Sequence, residues 1–146
     1  YWRMTRDIAE KMGYYKPAQI HAKFLPGLGK GGKMSSSLPE TAIFTKDPPE
    51  AAEKKVMSAF TGGQATIKEQ REKGGDPTIC SIYAYYYFLF EDDDARLIRL
   101  EQECKSGSLV CGDCKARLAK VISGFLVDFQ VKREKAKDVL QDYIIK

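Results

Sequence analysis

From residue 47 onward, the sequence is a succession of helix signals separated by glycine pairs. Asp47-Pro48-Pro49-Glu50 has the form of a helix start, with Asp47 as the capping side chain and proline where no amide donor is needed. A capping-box pattern follows at Thr66-Ile67-Lys68-Glu69, and Gly62-Gly63 and Gly74-Gly75 are expected to end two helices. The pattern therefore predicts an all-helical unit, with a domain boundary near residue 46.

Apolar residues of this unit recur at helical spacing. Asp76-Pro77 is expected to cap a central helix that runs through Phe90; a strand pair is the alternative, but the length and the lack of turn residues favour a helix. A further helix ends at Ser106-Gly107, and a long amphipathic helix follows. The predicted core positions are Ala52, Val56, Ala59 and Phe60, then Ile79, Ile82, Tyr83, Tyr86, Tyr87 and Phe90, then Leu97, Leu100 and Cys104, then Leu118, Val121, Ile122, Phe125, Leu126 and Phe129, with Val139, Leu140 and Tyr143 continuing the last apolar face.

The first part of the chain has a mixed pattern. Met4, Ile8 and Met12 predict a helix that buries them and stops at Gly13. Residues 18–26 form a short apolar run that ends in proline, which predicts a strand leading into a loop. His21, the only histidine, has no neighbouring acid or nucleophile, so we interpret it as a strand residue and not as a general base.

Composition excludes several classes of protein. With 146 residues, 43% hydrophobic and 30% charged, the chain is typical of one globular domain or of one domain with a piece of another. No apolar run is long enough to span a membrane and no signal peptide is recognisable, so we expect a soluble, cytoplasmic protein. Residues 1–46 carry eight Lys/Arg against three Asp/Glu, a field suited to ATP or RNA.

Two clusters invite a metal hypothesis, and neither is favoured. Cys111 and Cys114 form a C-x-x-C with Cys104 nearby, but a second ligand pair is missing, so we predict free thiols. The acidic run at residues 91–94 is interpreted as a solvated turn, because adjacent carboxylates converge poorly on one ion. We therefore predict no metal site.

The stretch from Gly27 to Ser37 is best suited to chemistry. Four glycines permit positive φ and close approach of the backbone, Lys33 brings a cation, and three serines bring donors, which together suit a polyphosphate. A flexible Gly/Ser surface linker is the alternative. Two familiar patterns fit incompletely: the serine run ending in Pro39 opposes the helix that G-x-G-x-x-G requires, and Met34 stands where a P-loop needs Ser or Thr.

Lys33-Met34-Ser35-Ser36-Ser37 resembles the KMSKS motif of class I aminoacyl-tRNA synthetases, a mobile loop after the last strand of a Rossmann-like catalytic domain. Ser36 stands in place of the second lysine, as in eukaryotic and archaeal tryptophanyl enzymes. Further strings are similar to the carboxyl-terminal domain of eukaryotic tryptophanyl-tRNA synthetases: Ala59-Phe60-Thr61-Gly62-Gly63, Thr66-Ile67, Arg71, Gly74-Gly75 and Phe88-Leu89-Phe90-Glu91-Asp92-Asp93-Asp94.

This resemblance implies a mainly α fold, in which residues 1–46 are the tail end of a Rossmann-like α/β catalytic domain and residues 47–146 an all-helical anticodon-binding domain. It implies part of an enzyme that activates tryptophan with ATP and Mg²⁺, transfers it to tRNA(Trp) and is a homodimer when complete. The HIGH motif and the tryptophan pocket are absent from this sequence, so we expect the fragment alone to be inactive. The alternatives are a tyrosyl-tRNA synthetase fragment and a non-catalytic RNA-binding module.

The resemblance also assigns site residues. Lys33 is the expected catalytic residue, which neutralises charge on the departing pyrophosphate. Phe24, Lys33, Met34, Ser35 and Ser37 are expected to bind ATP, with an ordinary core role as the alternative for Phe24. Gln64, Lys68 and Arg71 are the expected tRNA contacts, although relatives carry a charged pair where this chain has Gln64-Ala65, and solvated helix positions are the alternative for Lys68 and Arg71.

Overall fold

A computed structural model describes residues 1–144, which contain no β-strand and only a single bridge between Ser35 and Leu38. The α-helices are α1 (Trp2–Ala9), α2 (Pro49–Ser58), α3 (Ile67–Lys73), α4 (Ser81–Tyr85), α5 (Asp94–Ser106) and α6 (Cys111–Lys137). Short 3₁₀ turns occupy Glu10–Met12, Pro39–Thr41, Pro77–Ile79 and Leu140–Tyr143, and a π-helical turn, Tyr86–Phe90, continues α4. The predicted mainly α fold is confirmed.

The core lies between α2 and α6, the longest helix of the described chain. Leu118, Ile122 and Leu126 are spaced by four residues, so they fall on one face of α6, and each is at most 1% exposed. They share a core cluster with Ala52 and Val56 of α2, as the apolar spacing predicts. Full burial of each large side chain contributes about 1.5–3 kcal/mol.

The aromatic stretch forms a helix later and with a wider turn than the sequence predicts. Asp76 caps the 3₁₀ turn by accepting from the Thr78 amide at 2.9 Å, and α4 begins only at Ser81. Ile82 and Tyr86 are buried as predicted, whereas Ile79 and Tyr87 are exposed. The late start and the π-helical turn shift the register, so these two predicted core positions are wrong.

Helix ends follow local chemistry at two places and depart from it at a third. The Thr66 hydroxyl accepts from the Glu69 amide at 3.2 Å, which confirms the predicted cap, and it donates to the Glu69 carboxylate at 3.0 Å, in place of the Thr66 amide that a full capping box would use. Gly74 and Gly107 end α3 and α5 with φ of 70° and 75°. Asp47 does not cap α2: its carboxylate accepts from the Phe44 amide and pairs with Lys55 at 2.6 Å, so that prediction is wrong.

The first 26 residues depart most from expectation. The predicted helix forms and Gly13 ends its last turn with φ of 77°, but Met4, Ile8 and Met12 are exposed and not in the core. Residues 18–26 form no strand, because the described residues include no neighbouring strand with which they could pair. On α6, Val121 and Phe125 are likewise about half exposed, because α2 covers only one side of that helix. The helix ends at Lys137, and Val139, Leu140 and Tyr143 beyond it are exposed, so their predicted place in the core is wrong.

Candidate functional site

The lysine loop, defined here as residues 27–41, is fixed to the helical unit at its base. The Leu28 side chain is 2% exposed and belongs to the helical core. Its carbonyl accepts from the Phe60 amide at 2.7 Å, and its amide donates to the Thr41 carbonyl at 2.9 Å. The Ser81 hydroxyl of α4 donates to the Gly27 carbonyl at 3.0 Å. The loop is therefore closed at both ends and attached to α4 and to the residues that follow α2.

Two of the loop glycines have a clear structural reason. A Cβ atom on Gly27 would lie 2.9 Å from the Thr41 carbonyl oxygen, which is too close, so this position needs glycine. Gly31 has φ of 58°, a conformation that other residues rarely adopt. The glycine content thus serves the turn itself, which argues against an unstructured linker.

The serines of the loop organise a turn beyond the lysine. The Ser35 and Ser37 hydroxyls lie 2.8 Å apart, and the Ser35 amide donates to the Thr41 hydroxyl at 3.0 Å. The Thr41 hydroxyl donates to the Leu38 carbonyl at 2.6 Å. Thr41 is thus an organiser of the loop that the motif alone did not identify, because it lies outside the five-residue pattern.

Lys33 and Met34 are exposed and precede this turn. Within residues 1–144, the Lys33 ammonium makes no ion pair or hydrogen bond, and neither residue takes part in a backbone hydrogen bond. A free cation on a loop with a fixed base is suited to an anionic ligand that approaches from solvent.

Phe24 lies apart from Lys33, in a groove of about 750 Å³ next to the loop. Lys30 and Gly31 line this groove, whereas Lys33, Met34, Ser35 and Ser37 do not. Two lysines rest on aromatic rings at its sides, with the Lys23 ammonium 5.2 Å from the Tyr87 centroid and the Lys30 ammonium 5.8 Å from that of Phe60. The predicted ATP-binding residues therefore form two groups in this structure.

The predicted RNA-contact residues lie at a corner formed by residues 62–75. Lys68 and Arg71 are exposed on one face of α3, three residues apart, and form no ion pair within the described part of the chain. Gln64 is partly committed to the fold, because its side-chain amide donates to the Gly74 carbonyl at 2.9 Å. Its backbone amide donates to Gln70 Oε1 at 2.8 Å. Gln70 is a buried residue that the sequence did not reveal, since its neighbours in α3 are charged.

The four cysteines surround a cavity of about 20 Å³, and none of them forms a disulfide in the described structure. Burial raises the pKa of Cys104 to about 11 and that of Cys114 to about 12, and neighbouring thiols add to both shifts. Among residues 1–144, no group of three or more His, Cys, Asp or Glu side chains could hold a metal ion. Cys80 is buried and the other three cysteines are partly buried, so these thiols act mainly as apolar side chains in the described structure.

The remaining polar candidates have structural roles. The Asp93 carboxylate caps α5 by accepting from the Ala95 amide at 2.9 Å and from the Arg96 amide at 3.3 Å. The His21 ring nitrogen lies 3.0 Å from the Gln19 side-chain oxygen, and the ring is exposed. In the described part of the chain, no helix has the length and apolar character needed to cross a membrane.

Known proteins match this chain along most of its length. A family model described as tRNA synthetases class I (W and Y) matches residues 2–127. The tryptophan–tRNA ligase of Thermococcus sibiricus is 50% identical over 145 residues, which are 98% of this chain and 38% of that relative.

Two solved structures extend the comparison. The tryptophanyl-tRNA synthetase of the archaeon Aeropyrum pernix superposes with a TM-score of 0.86 at 39% identity, over 97% of this chain and 39% of that one. That of Giardia lamblia gives 0.78 at 38% identity, over 92% of this chain and 34% of that one.

The match to the class I tRNA synthetase family model includes both the KMSKS-type loop and most of the helical unit. The chain belongs to this class, in the family of the tryptophan and tyrosine enzymes. The resemblance to tryptophanyl-tRNA synthetases is confirmed, and the tyrosyl alternative is not favoured. The similarity includes archaeal relatives, so a specifically eukaryotic type stays a prediction. The chain spans about 38% of the length of its curated relatives and fits their carboxyl-terminal portion.

Proposed function

We propose that this chain is the carboxyl-terminal part of an enzyme that activates tryptophan with ATP and transfers it to tRNA(Trp). Residues 1–46 would contribute the KMSKS-type loop to the catalytic domain, and residues 47–146 would bind the anticodon region of the tRNA. The observation that carries this proposal is the free, exposed Lys33 ammonium on a loop whose base is fixed in the helical core.

The proposed role of Lys33 is electrostatic. When the carboxylate of the amino acid attacks the α-phosphate of ATP, negative charge accumulates on the departing pyrophosphate, and a placed cation stabilises that charge. Met34, Ser35 and Ser37 would shape the loop around the phosphates, and Phe24 would contact the adenine end. The two groups that these residues form would meet only when the loop moves toward the groove.

Mg²⁺ would accompany the nucleotide. Within residues 1–144 no side-chain cluster fits a metal ion, so the ion would be held by the phosphates and by the rest of the enzyme. For the whole protein, we propose tryptophan as the amino acid substrate, the cytoplasm as its location and a homodimer as its assembly.

The first 24 residues expose an apolar face that is suited to contact with a catalytic portion of the enzyme. Trp2, Met4 and Met12 are each more than 60% exposed, and Ile20 is fully exposed. Within the described chain, residues 18–26 form no backbone hydrogen bond. An apolar segment outside any helix, with backbone groups that make no internal hydrogen bond, is suited to joining a β-sheet. We therefore propose that the part of the relatives that this chain does not match covers this face.

The catalytic proposal can be tested in a chimera. The unmatched upstream portion of the Thermococcus sibiricus ligase would be joined to this chain, and tryptophan-dependent pyrophosphate exchange would be measured. Lys33→Ala is expected to lower kcat about a hundredfold or more with little effect on the KM for tryptophan, because the cation acts on the transition state. Lys54→Ala, a change of the same size at an exposed position of α2 outside the groove, is the matched control. Equal effects of the two changes would contradict the assignment, and exchange by the unjoined chain would contradict its proposed inactivity.

The RNA proposal can be tested on the chain as it is. Binding would be measured to tRNA(Trp), to a copy with an altered anticodon and to tRNA(Tyr), across a salt series. A preference for unaltered tRNA(Trp) that survives added salt is expected, and Lys68→Ala or Arg71→Ala should reduce the salt slope by about one, while Lys120→Ala on α6 should not. If the three affinities are equal and fall together with added salt, the chain binds RNA only through a basic surface, and the proposed anticodon recognition is wrong.

A further inference from the structure

The side chain of Gln70 is the buried member of an otherwise exposed and charged helix. Gln70 is 3% exposed, whereas Lys68 and Arg71 on the same helix face solvent. A buried side-chain amide costs stability unless its groups are satisfied, so its place in the core needs a reason.

The Gln70 amide joins α3 to the turn that precedes it. Its Oε1 accepts from the Gln64 backbone amide at 2.8 Å, and the Gln64 side chain in turn donates to the Gly74 carbonyl at 2.9 Å. These two bonds connect the turn to the middle and to the end of α3. The position of Gln64 relative to the helix therefore depends on Gln70.

The glycine pairs on either side are fitted to this amide. A Cβ atom on Gly63 would overlap Cys111 Sγ and lie 2.9 Å from Gln70 Oε1. One on Gly75 would lie 3.0 Å from Gln70 Nε2 and 3.1 Å from Cys104 Sγ. The amide and two cysteine side chains together occupy the space that side chains at these two positions would need. Nε2 itself has no hydrogen-bond partner within residues 1–144, so the bond to Gln64 is the one polar interaction of this amide in the described structure.

We propose that Gln70 is a positioning residue for RNA recognition, which fixes the turn at residues 62–65 in register with α3 and so sets Gln64 relative to Lys68 and Arg71. The inference rests on the proposed anticodon-binding function of this unit. In this role Gln70 does not contact the RNA. It fixes the positions of Gln64, Lys68 and Arg71 relative to one another. Its loss should reduce discrimination between RNAs more than it reduces electrostatic attraction, because the lysine and the arginine remain.

The test compares Gln70→Leu, which removes both polar atoms, with Gln70→Glu, which keeps an oxygen that can accept from Gln64. Gln102→Leu, on the exposed face of α5, is the matched control. Folding is checked by circular dichroism and urea denaturation, and Gln70→Met replaces the leucine variant if that variant does not fold. The readouts are the affinity ratio between tRNA(Trp) and its anticodon-altered copy, the salt slope, and hydrogen exchange of the Gln64 amide.

We expect Gln70→Leu to lower the affinity ratio about tenfold with an unchanged salt slope and a faster exchange of the Gln64 amide. Gln70→Glu should recover most of the ratio, and Gln102→Leu should change nothing. If Gln70→Leu lowers both affinities equally, its role is structural only and the inference is wrong. If the unaltered chain shows no preference between the two RNAs, the proposed function is wrong, and the inference falls with it.

Discussion

The Ser81 hydroxyl donates to the Gly27 carbonyl at 3.0 Å across 54 residues of sequence. Both residues are buried, so this carbonyl would have no access to water if the hydroxyl were removed. The bond links the start of the lysine loop to the first residue of α4. The base of the lysine loop is therefore attached directly to the helical unit.

Removal of this hydroxyl should cost stability. Ser81→Ala leaves a buried acceptor without its donor, and we expect the free energy of unfolding to fall by about 1–2 kcal/mol. Ser58→Ala, which removes an exposed hydroxyl that bonds within its own helix, is the control and should have a much smaller effect. Urea denaturation measures both. Equal losses of unfolding free energy in the two variants would show that the long-range hydrogen bond contributes no more than one within a single helix.

Gly74→Ala should be among the most damaging small changes. Gly74 has φ of 70°, and a Cβ atom there would collide with the Lys105 carbonyl, so we expect a loss of about 3 kcal/mol. Gly124→Ala is the matched control, because a Cβ atom there meets no neighbour within 4 Å inside α6. It should stabilise the helix by about 0.5–1 kcal/mol. Changes of the same sign in the two variants would contradict this interpretation.

The pair of Asp47 and Lys55 should make stability depend on pH. Burial alone raises the pKa of the Asp47 carboxyl, but hydrogen bonds from Lys55 and Phe44 and the charges of Lys55 and Lys46 outweigh it, so the pKa is lowered. A carboxyl with a lowered folded-state pKa stabilises fully above its unfolded pKa of about 3.9, and that stability is lost as the pH falls through the folded value.

Asp47→Asn tests this dependence. We expect it to lower the free energy of unfolding by about 1–2 kcal/mol at pH 7, with the difference from the unaltered chain shrinking as the pH falls below 4. Asp128→Asn breaks an exposed pair with Lys132 and should have a much smaller effect at neutral pH. A difference that is constant from pH 7 to pH 3 would count against the charged pair.

The partly buried thiols of Cys104 and Cys114 should react slowly with alkylating reagents. With its pKa raised from 9.0 to about 11, Cys104 has about a hundredfold less thiolate at pH 8 than an unperturbed thiol, and the raised pKa of Cys114 lowers its fraction further. Iodoacetamide labelling followed by mass spectrometry should show both thiols reacting about tenfold or more slowly than an unperturbed thiol, because the greater nucleophilicity of a thiolate with a raised pKa offsets part of the lower thiolate fraction. Labelling in denaturing urea is the control and should remove the difference. Fast labelling in the folded state would mean that the thiol cluster opens readily.

The parts of the fold that sequence predicted best are those in which the deciding contacts are local. The Thr66 cap of α3 and the glycine stops at Gly74 and Gly107 depend on groups a few residues apart, so their patterns can be read directly. The face of α6 that carries Leu118, Ile122 and Leu126 follows from spacing alone.

The errors arose where a distant group decides the outcome. Asp47 has the form of a helix cap, but Lys55 offers its carboxylate a charged partner eight residues away. Met4 and Ile8 have a core-like spacing, but no described part of the chain covers them. A pattern of apolar residues shows that a face is suited to burial and does not show what buries it.

The candidate site was predicted in outline. The resemblance identified Lys33 and its serine neighbours, which remain a prediction as ATP-binding residues. It did not identify Thr41, which orients Ser35 through its hydroxyl, or Gln70, which orients Gln64. Both act through hydrogen bonds to backbone amides six residues away, and such bonds leave no periodic signal in a single sequence.

The buried base of the lysine loop determines at which residues the loop can bend. Leu28 is locked into the core, whereas Gly29 and Gly31 stand in open space with no atom near a would-be Cβ. Torsional change at these glycines would displace Lys33 while Leu28 stays in place, and it would break the hydrogen bond from the Gly27 amide to the Gly32 carbonyl at 2.9 Å. The cost of such a movement is therefore set by this loop hydrogen bond and not by the packing of the helical core.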